Sequence, residues 1–174
     1  MGAQGQGADA VSGRWVLIPR VLVFVFNGDD VLLMKRGAHR RVFPNKYNGL
    51  GGHVERDEHP AETAVREVFE ESGLRVRDVK LRGIHHIDAG AAESGIVMYV
   101  FTARADVRAL TAETGEGTLH WIPLSQVAGL DVVEDLPLVL PRILAMDEDA
   151  PPYLAHVSYD AQDQIIIRVA GGEG

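Results

Sequence analysis

Residues Gly52 to Leu74 read GHVERDEHPAETAVREVFEESGL, a stretch that carries both an amphipathic helix and a cluster of carboxylates. Ala61, Ala64, Val65, Val68 and Ser72 recur at the i, i+3, i+4, i+7 spacing of one helical stripe, which Phe69 widens. Pro60 suits a first helical position, where a missing N–H is not needed. Glu62 favours the positive helix N-terminus, and Gly73 can take the left-handed conformation that ends a helix. The pattern predicts a helix over about Pro60 to Ser72.

At about 100° per residue, Glu67, Glu70 and Glu71 fall on the face opposite that stripe. Like charges at i, i+3 and i, i+4 destabilise an isolated helix by a few tenths of a kcal/mol per pair, so three carboxylates on one turn call for a cation. Clustered oxygen ligands suit Mg²⁺ or Mn²⁺. A solvated acidic face is the ordinary reading of an arbitrary Glu-x-x-Glu-Glu. Here Leu50-Gly51-Gly52-His53-Val54 precedes the helix as a short strand or loop, whose glycines let a backbone come close to a metal or phosphate.

The spacing of Gly52, Glu58, Arg66, Glu67, Val68, Glu70, Glu71, Gly73 and Leu74 resembles the Nudix box without a mismatch. That resemblance implies an α+β Nudix fold, a mixed β-sheet sandwiched between α-helices, with the box as a loop-helix-loop beside it. It also implies Mg²⁺, with Mn²⁺ as substitute, held by Glu67, Glu70, Glu71 and the Gly51 carbonyl. One of these glutamates would also act on the attacking water. Arg66 is expected to orient a carboxylate, and Glu58 to bind metal through water or to fix the loop. Gly52 and Gly73 are expected to be structural. Glu116, five residues before Trp121, is the further acidic group that relatives lead one to expect, with Glu113 competing for the role.

Lys46 to Gly52 resembles the corresponding segment of oxidised-purine nucleoside triphosphate diphosphatases, where the residue at Asn48 touches the base. The order of the segment Asp131 to Asp135 and of the terminal hairpin matches as well. Asp135 is the plausible base-reading acid, whereas Val133 stands where a stacking aromatic is expected. Lys35, Arg36, Arg40 and Arg41 form a basic cluster that suits phosphates, Lys35 foremost, and equally suits ordinary surface solvation. The resulting expectation is hydrolysis of a (d)NTP, including an oxidised purine such as 8-oxo-dGTP, to the monophosphate and pyrophosphate. Nucleotide sugars or dinucleoside polyphosphates are the alternative substrates, and a non-catalytic ligand sensor is the alternative class. Intact box glutamates count against the sensor. A Nudix-fold isoprenoid diphosphate isomerase is disfavoured because the familiar enzyme uses a cysteine, and this chain has none.

The 174 residues suit one domain, over 14–174, preceded by a Gly, Ala and Gln-rich tail at 1–13 expected to be disordered. A net charge of −8 without a basic stripe argues against a nucleic-acid polymer as partner. The absence of cysteine fits a reducing interior, and no apolar run approaches the ~20 residues of a membrane span. The expectation is therefore a cytoplasmic monomer or homodimer acting on a small phosphorylated nucleotide. Val21–Phe26 and Val31–Met34 read as a hairpin, and Leu81–Ile87, Ile96–Ala103 and Leu119–Ile122 as further strands. A short helix from Ser125 and a longer one from Leu136 to Met146 follow, then a closing hairpin of Tyr153–Tyr159 and Ile165–Val169. Adjacent His85 and His86 should point to opposite faces of their strand, and His53 reads as a loop histidine.

Overall fold

The computed structural model describes residues 13–112 and 114–171. Most of the expected N-terminal tail and the competing Glu113 lie outside them. The elements run β1 (Val16–Asn27), β2 (Asp30–Arg36), β3 (Tyr47–Asn48), α1 (Pro60–Ser72), β4 (Val76–Ile87), β5 (Ser94–Ala105) and β6 (Gly117–Pro123). A 3₁₀ helix over Leu124–Gly129, then α2 (Leu136–Leu144), β7 (Tyr153–Tyr159) and β8 (Ile165–Val169) complete the chain. No helix of the described residues is long and apolar enough to cross a membrane.

The strands form one mixed sheet in the order β3-β2-β1-β5-β4-β7-β8, with β6 on the other edge of β2. β1 lies parallel to β5 and β4 parallel to β7, while the remaining pairs are antiparallel. The run Val21–Val25 is buried on both faces of the sheet. Val21, Val23 and Val25 pack under α1 with Ala64, Val68, Leu74 and Phe101. Leu22 and Phe24 pack on the opposite side with Val139, Leu140 and Ile143 of α2. Each such side chain contributes about 1.5–3 kcal/mol on full burial. The continuous apolar run thus reflects a strand covered on both sides, and the helix-sheet-helix sandwich follows from it.

α1 has the predicted bounds. His59 caps it reciprocally with Glu62, Pro60 opens it, and Gly73 at φ 75° closes it. Its buried face differs from the expected stripe. Val65 and Phe69 stand 42% and 48% exposed, whereas Thr63 and Glu71 are buried and Glu67 is largely covered. The buried arc is rotated toward the carboxylates because α1 meets the Gly51-Gly52 segment as well as the sheet. Of the three glutamates only Glu70 is exposed, a correction to the even acidic face read from periodicity.

β4 begins at Val76, five residues earlier than expected. Its register slips between Arg77 and Lys80 and between Leu81 and Gly83, and Asp78 takes φ 52°, so alternation fails there. α2 ends at Leu144 rather than Met146, and the segment from Ser125 is a 3₁₀ turn beginning one residue earlier. The stretch Leu50–Val54 touches β1 only through isolated bridges, Val23 to Leu50 and Arg20 to His53.

His85 and His86 do face opposite ways. His86 stacks on Trp15, with ring centroids 5.0 Å apart, while His85 is buried and its Nε2 lies 2.8 Å from the Tyr153 hydroxyl. Burial pushes the His85 pKa down to about 4. The folded state therefore disfavours a proton that the unfolded chain accepts below about pH 6.5, so stability present above that pH is lost toward pH 4, by roughly 3 kcal/mol at most. His85→Gln should flatten the pH dependence of the urea midpoint between pH 6.5 and 4 relative to wild type. Equal slopes in the two proteins would rule this out.

Candidate functional site

The site is assembled where the segment 45–53 wedges between β2 and β1. Its first half pairs with β2, through Met34 to Asn48 and Lys35 to Tyr47. Its second half turns to β1, where Val23 N–H donates to the Leu50 carbonyl at 2.7 Å and Val21 N–H to the Gly52 carbonyl at 2.9 Å. The Gly51 carbonyl between them accepts no backbone hydrogen bond among the described residues. Gly51 takes φ 145°, and a Cβ there would collide with the Val21 carbonyl. A Cβ on Gly52 would collide with the Glu67 carboxylate. Both glycines are thus required by close approach, Gly52 to an acid of α1 and Gly51 to β1.

Arg66 organises the outer side. Its Nε donates to Glu58 Oε1 at 2.6 Å and one terminal nitrogen to Glu58 Oε2 at 3.1 Å, a bidentate pair. The other terminal nitrogen donates to Glu67 and to Glu70, each at 3.0 Å. The first also reaches the His53 carbonyl at 3.3 Å, which ties α1 to the glycine segment, while the His53 side chain stands exposed. Thr63 adds a 2.7 Å hydroxyl bond to Glu58. Hydrogen bonds from Arg66 and then Thr63 hold the Glu58 carboxyl down at about 2, and the Glu58 contact raises the Arg66 pKa. Glu58 therefore fixes the loop to the helix.

The inner carboxylates have the opposite balance. Glu71 accepts from Gly51 N–H at 3.2 Å. Burial, with Glu67 and Glu116 adding, pushes its pKa up to about 8 against the effect of that bond and of Arg36. Burial likewise raises Glu67, which Arg66 offsets and Glu70 and Glu116 augment. Glu116 is thus near enough to oppose the ionisation of both, although it lies on the loop before β6, where Arg40 binds its carboxylate at 3.1 Å. Among the described residues no three acidic or histidine side chains enclose a point where a cation would sit. Glu70 is turned outward to Arg66 and Glu71 toward Gly51. The donor set nonetheless fits a hard divalent cation. It consists of oxygen atoms, its two covered carboxyls have pKa values raised first by burial and then by neighbouring acids, and Glu70 lies exposed on the same turn.

The segment that carries Asn48 pairs with the one that leads to Asp135. Tyr47 N–H donates to the Asp131 carbonyl at 2.9 Å, and Val133 N–H to the Tyr47 carbonyl at 3.0 Å. The Asn48 side-chain oxygen accepts from Gly49 N–H, and Asp135 is half-buried at the start of α2, its pKa raised by burial. Val133 is 1% exposed within the α2 core and offers no surface for stacking. Lys35 is exposed, with Nζ 5.8 Å from the Tyr47 ring centroid. Sequence reasoning passed over Arg20. No motif contains it, and only the crossing of β1 by the glycine segment brings it beside the acids of the box.

Residues 16–143 match the NUDIX domain. Over 147 residues the chain is 31% identical to the oxidized purine nucleoside triphosphate hydrolase of Mus musculus, covering 83% of this chain and 88% of that protein. It is 42% identical over 76 residues to Nudix hydrolase 3 of Caenorhabditis elegans, covering 44% of this chain but only 31% of that longer protein. The crystal structure of a MutT protein from Bacillus halodurans superposes with a TM-score of 0.75 at 21% identity, over 90% of this chain and all of that one, a likeness of fold. With the box in register on α1 and the domain matched across the sheet, the chain belongs to the Nudix hydrolase family.

Proposed function

We propose that this protein is a Mg²⁺-dependent diphosphatase that hydrolyses a nucleoside triphosphate to the monophosphate and pyrophosphate. The observation that carries the reading is the packing of Gly51-Gly52 against Glu67 and Glu71, with Arg66 holding Glu58, Glu67 and Glu70 around it. Glu67, Glu70, Glu71 and the Gly51 carbonyl would hold the cation, which when bound neutralises phosphate oxygens. The oxygen of water bonds to phosphorus, its proton passes to one of the glutamates, and the P–O bond between the monophosphate and pyrophosphate breaks. Glu116, close to Glu67 and Glu71, assists from the loop.

Support for a triphosphate comes from the mouse relative, the one of the two that is matched over most of its length. The α2 side of the sheet beyond α2 carries Ile18, Ile96, Ile87 and Met98 in adjacent registers, a floor of aliphatic rather than aromatic side chains. With Val133 in the core, the base would be read by the amide of Asn48 and the carboxyl of Asp135 rather than by stacking on that position. Lys35 supplies a cation beside the same segment.

The test is pyrophosphate release from a panel of normal and oxidised nucleoside triphosphates, nucleotide sugars and dinucleoside polyphosphates, with Mg²⁺ and then with chelator. Chelator-sensitive release from triphosphates is expected, and turnover of the other classes alone would overturn the substrate assignment. Glu70→Gln and Glu71→Gln should each lower kcat by about 10²–10⁴-fold. Glu70→Gln should leave the denaturation midpoint unchanged because Glu70 is exposed. Glu71→Gln should leave it unchanged or raise it, because the amide oxygen still accepts from Gly51 and nothing has to take up a proton on burial. Arg66→Lys should lose activity and lower the denaturation midpoint, because a point charge cannot replace the fork on Glu58. Wild-type kinetics in any of these variants would contradict the assignment of that residue.

A further inference from the structure

Several cations around the site are committed to a partner, while Lys35 stands exposed beside the Tyr47 ring. Arg66 binds three glutamates, Arg40 binds Glu116, Lys46 binds Asp131 and Arg108 binds Asp30. Arg36 donates its Nε to the Val42 carbonyl. Arg20 differs, since its guanidinium makes no hydrogen bond and no ion pair among the described residues, although it is only partly exposed. It sits on β1 at the bridge to His53, one residue before the Val21 N–H that holds Gly52. The strand register places it opposite Met98, on the face away from α1, next to the Ile18–Ile96 pair.

Three charges act on it. Glu67 and Glu116 are near enough to favour its protonated form, while burial and the neighbouring Arg36 oppose it. An arginine stays charged at any accessible pH, and a covered guanidinium without a partner, beside a second one, is destabilising. The arrangement is consistent with an anion that arrives from solution. Glu67 and Glu116 make no ion pair with it and are themselves paired, Glu67 to Arg66 and Glu116 to Arg40.

We propose that Arg20 is a substrate-binding residue whose guanidinium takes the phosphate oxygens of the polyphosphate, linking the box on the α1 side to the aliphatic floor on the other face. This rests on the triphosphate reading above. The phosphate chain then runs from the glutamates past the Gly51-Gly52 crossing to Arg20, and the organic group lies over Ile18, Ile96 and Met98. The planar fork matches two phosphate oxygens at once, which an ammonium cannot do.

The experiment compares wild type, Arg20→Met and Arg20→Lys in three measurements: steady-state kinetics on the best triphosphate with saturating Mg²⁺, calorimetric binding of inorganic tripolyphosphate with Mg²⁺, and the thermal midpoint. Arg20→Met should raise KM and weaken tripolyphosphate binding by about 10–100-fold, with a thermal midpoint equal to or above that of wild type. Arg20→Lys should fall between the two. Unchanged KM and tripolyphosphate affinity in Arg20→Met would overturn the proposal, as would a lowered midpoint with unchanged affinity, which marks a structural residue. If wild type hydrolyses no triphosphate, the functional reading fails, but tripolyphosphate binding still decides on Arg20. Affinity lost in Arg20→Met supports it and affinity retained overturns it.

Discussion

Contact between a backbone without side chains and a helix face rich in acid sets the geometry of this molecule. Gly51 and Gly52 cross β1 at Val21, with Gly52 against the Glu67 carboxylate and the Gly51 N–H on Glu71. A Cβ on Gly51 would meet the Val21 carbonyl, which cannot yield cheaply, and one on Gly52 would push the Glu67 carboxylate away from its place beside Arg66. Because the crossing is that close, α1 is rolled so that Glu71 and Thr63 are buried while Val65 and Phe69 remain in solvent. A helix placed by its apolar stripe alone would have left all three glutamates in water, where their pKa values would be ordinary and a cation would be bound weakly.

Charge is distributed unevenly across that contact. On the outside, one arginine satisfies three carboxylates and a carbonyl, so Glu58 stays ionised down to about pH 2 and the loop before α1 is fastened to it. On the inside, Glu67 and Glu71 are covered and repel each other and Glu116, which makes their ionised forms expensive until an opposing charge arrives. The rigid half positions the reactive half. Arg20, on β1 at the bridge to His53, is near enough to Glu67 and Glu116 for their charge to favour its own.

Much of this was legible in the sequence, for physical reasons that differ by element. α1 was found because a helix with a proline start, a glycine end and an apolar stripe has few alternatives, and the central strands because Val21–Phe26 is long enough only for a covered strand. The terminal hairpin came out at its observed bounds, since two β-rich runs flank a polar loop. The rotation of α1 was not legible, because periodicity reports apolar side chains and the neighbour that buries Glu71 is a pair of glycines. The start of β4 was hidden by its register slips. Arg20 was invisible because strand neighbours are set by pairing across 30 or more residues, and no local spacing marks them. Val133, conversely, was noticed as a missing aromatic, and its place in the α2 core explains why that position cannot stack on a base.

The most direct measurement is the map of paramagnetic broadening that Mn²⁺ produces in the backbone amide spectrum of the full chain. If a divalent cation is held between α1 and the glycine crossing, substoichiometric Mn²⁺ should broaden the amides of Gly51, Gly52 and the α1 turn around Glu67–Glu71 first. Glu71→Gln should weaken that pattern without disturbing the rest of the spectrum. Broadening centred elsewhere, for example on the acidic surface around Glu134 or Glu148, or a pattern indifferent to Glu71→Gln, would contradict a cation site at this crossing.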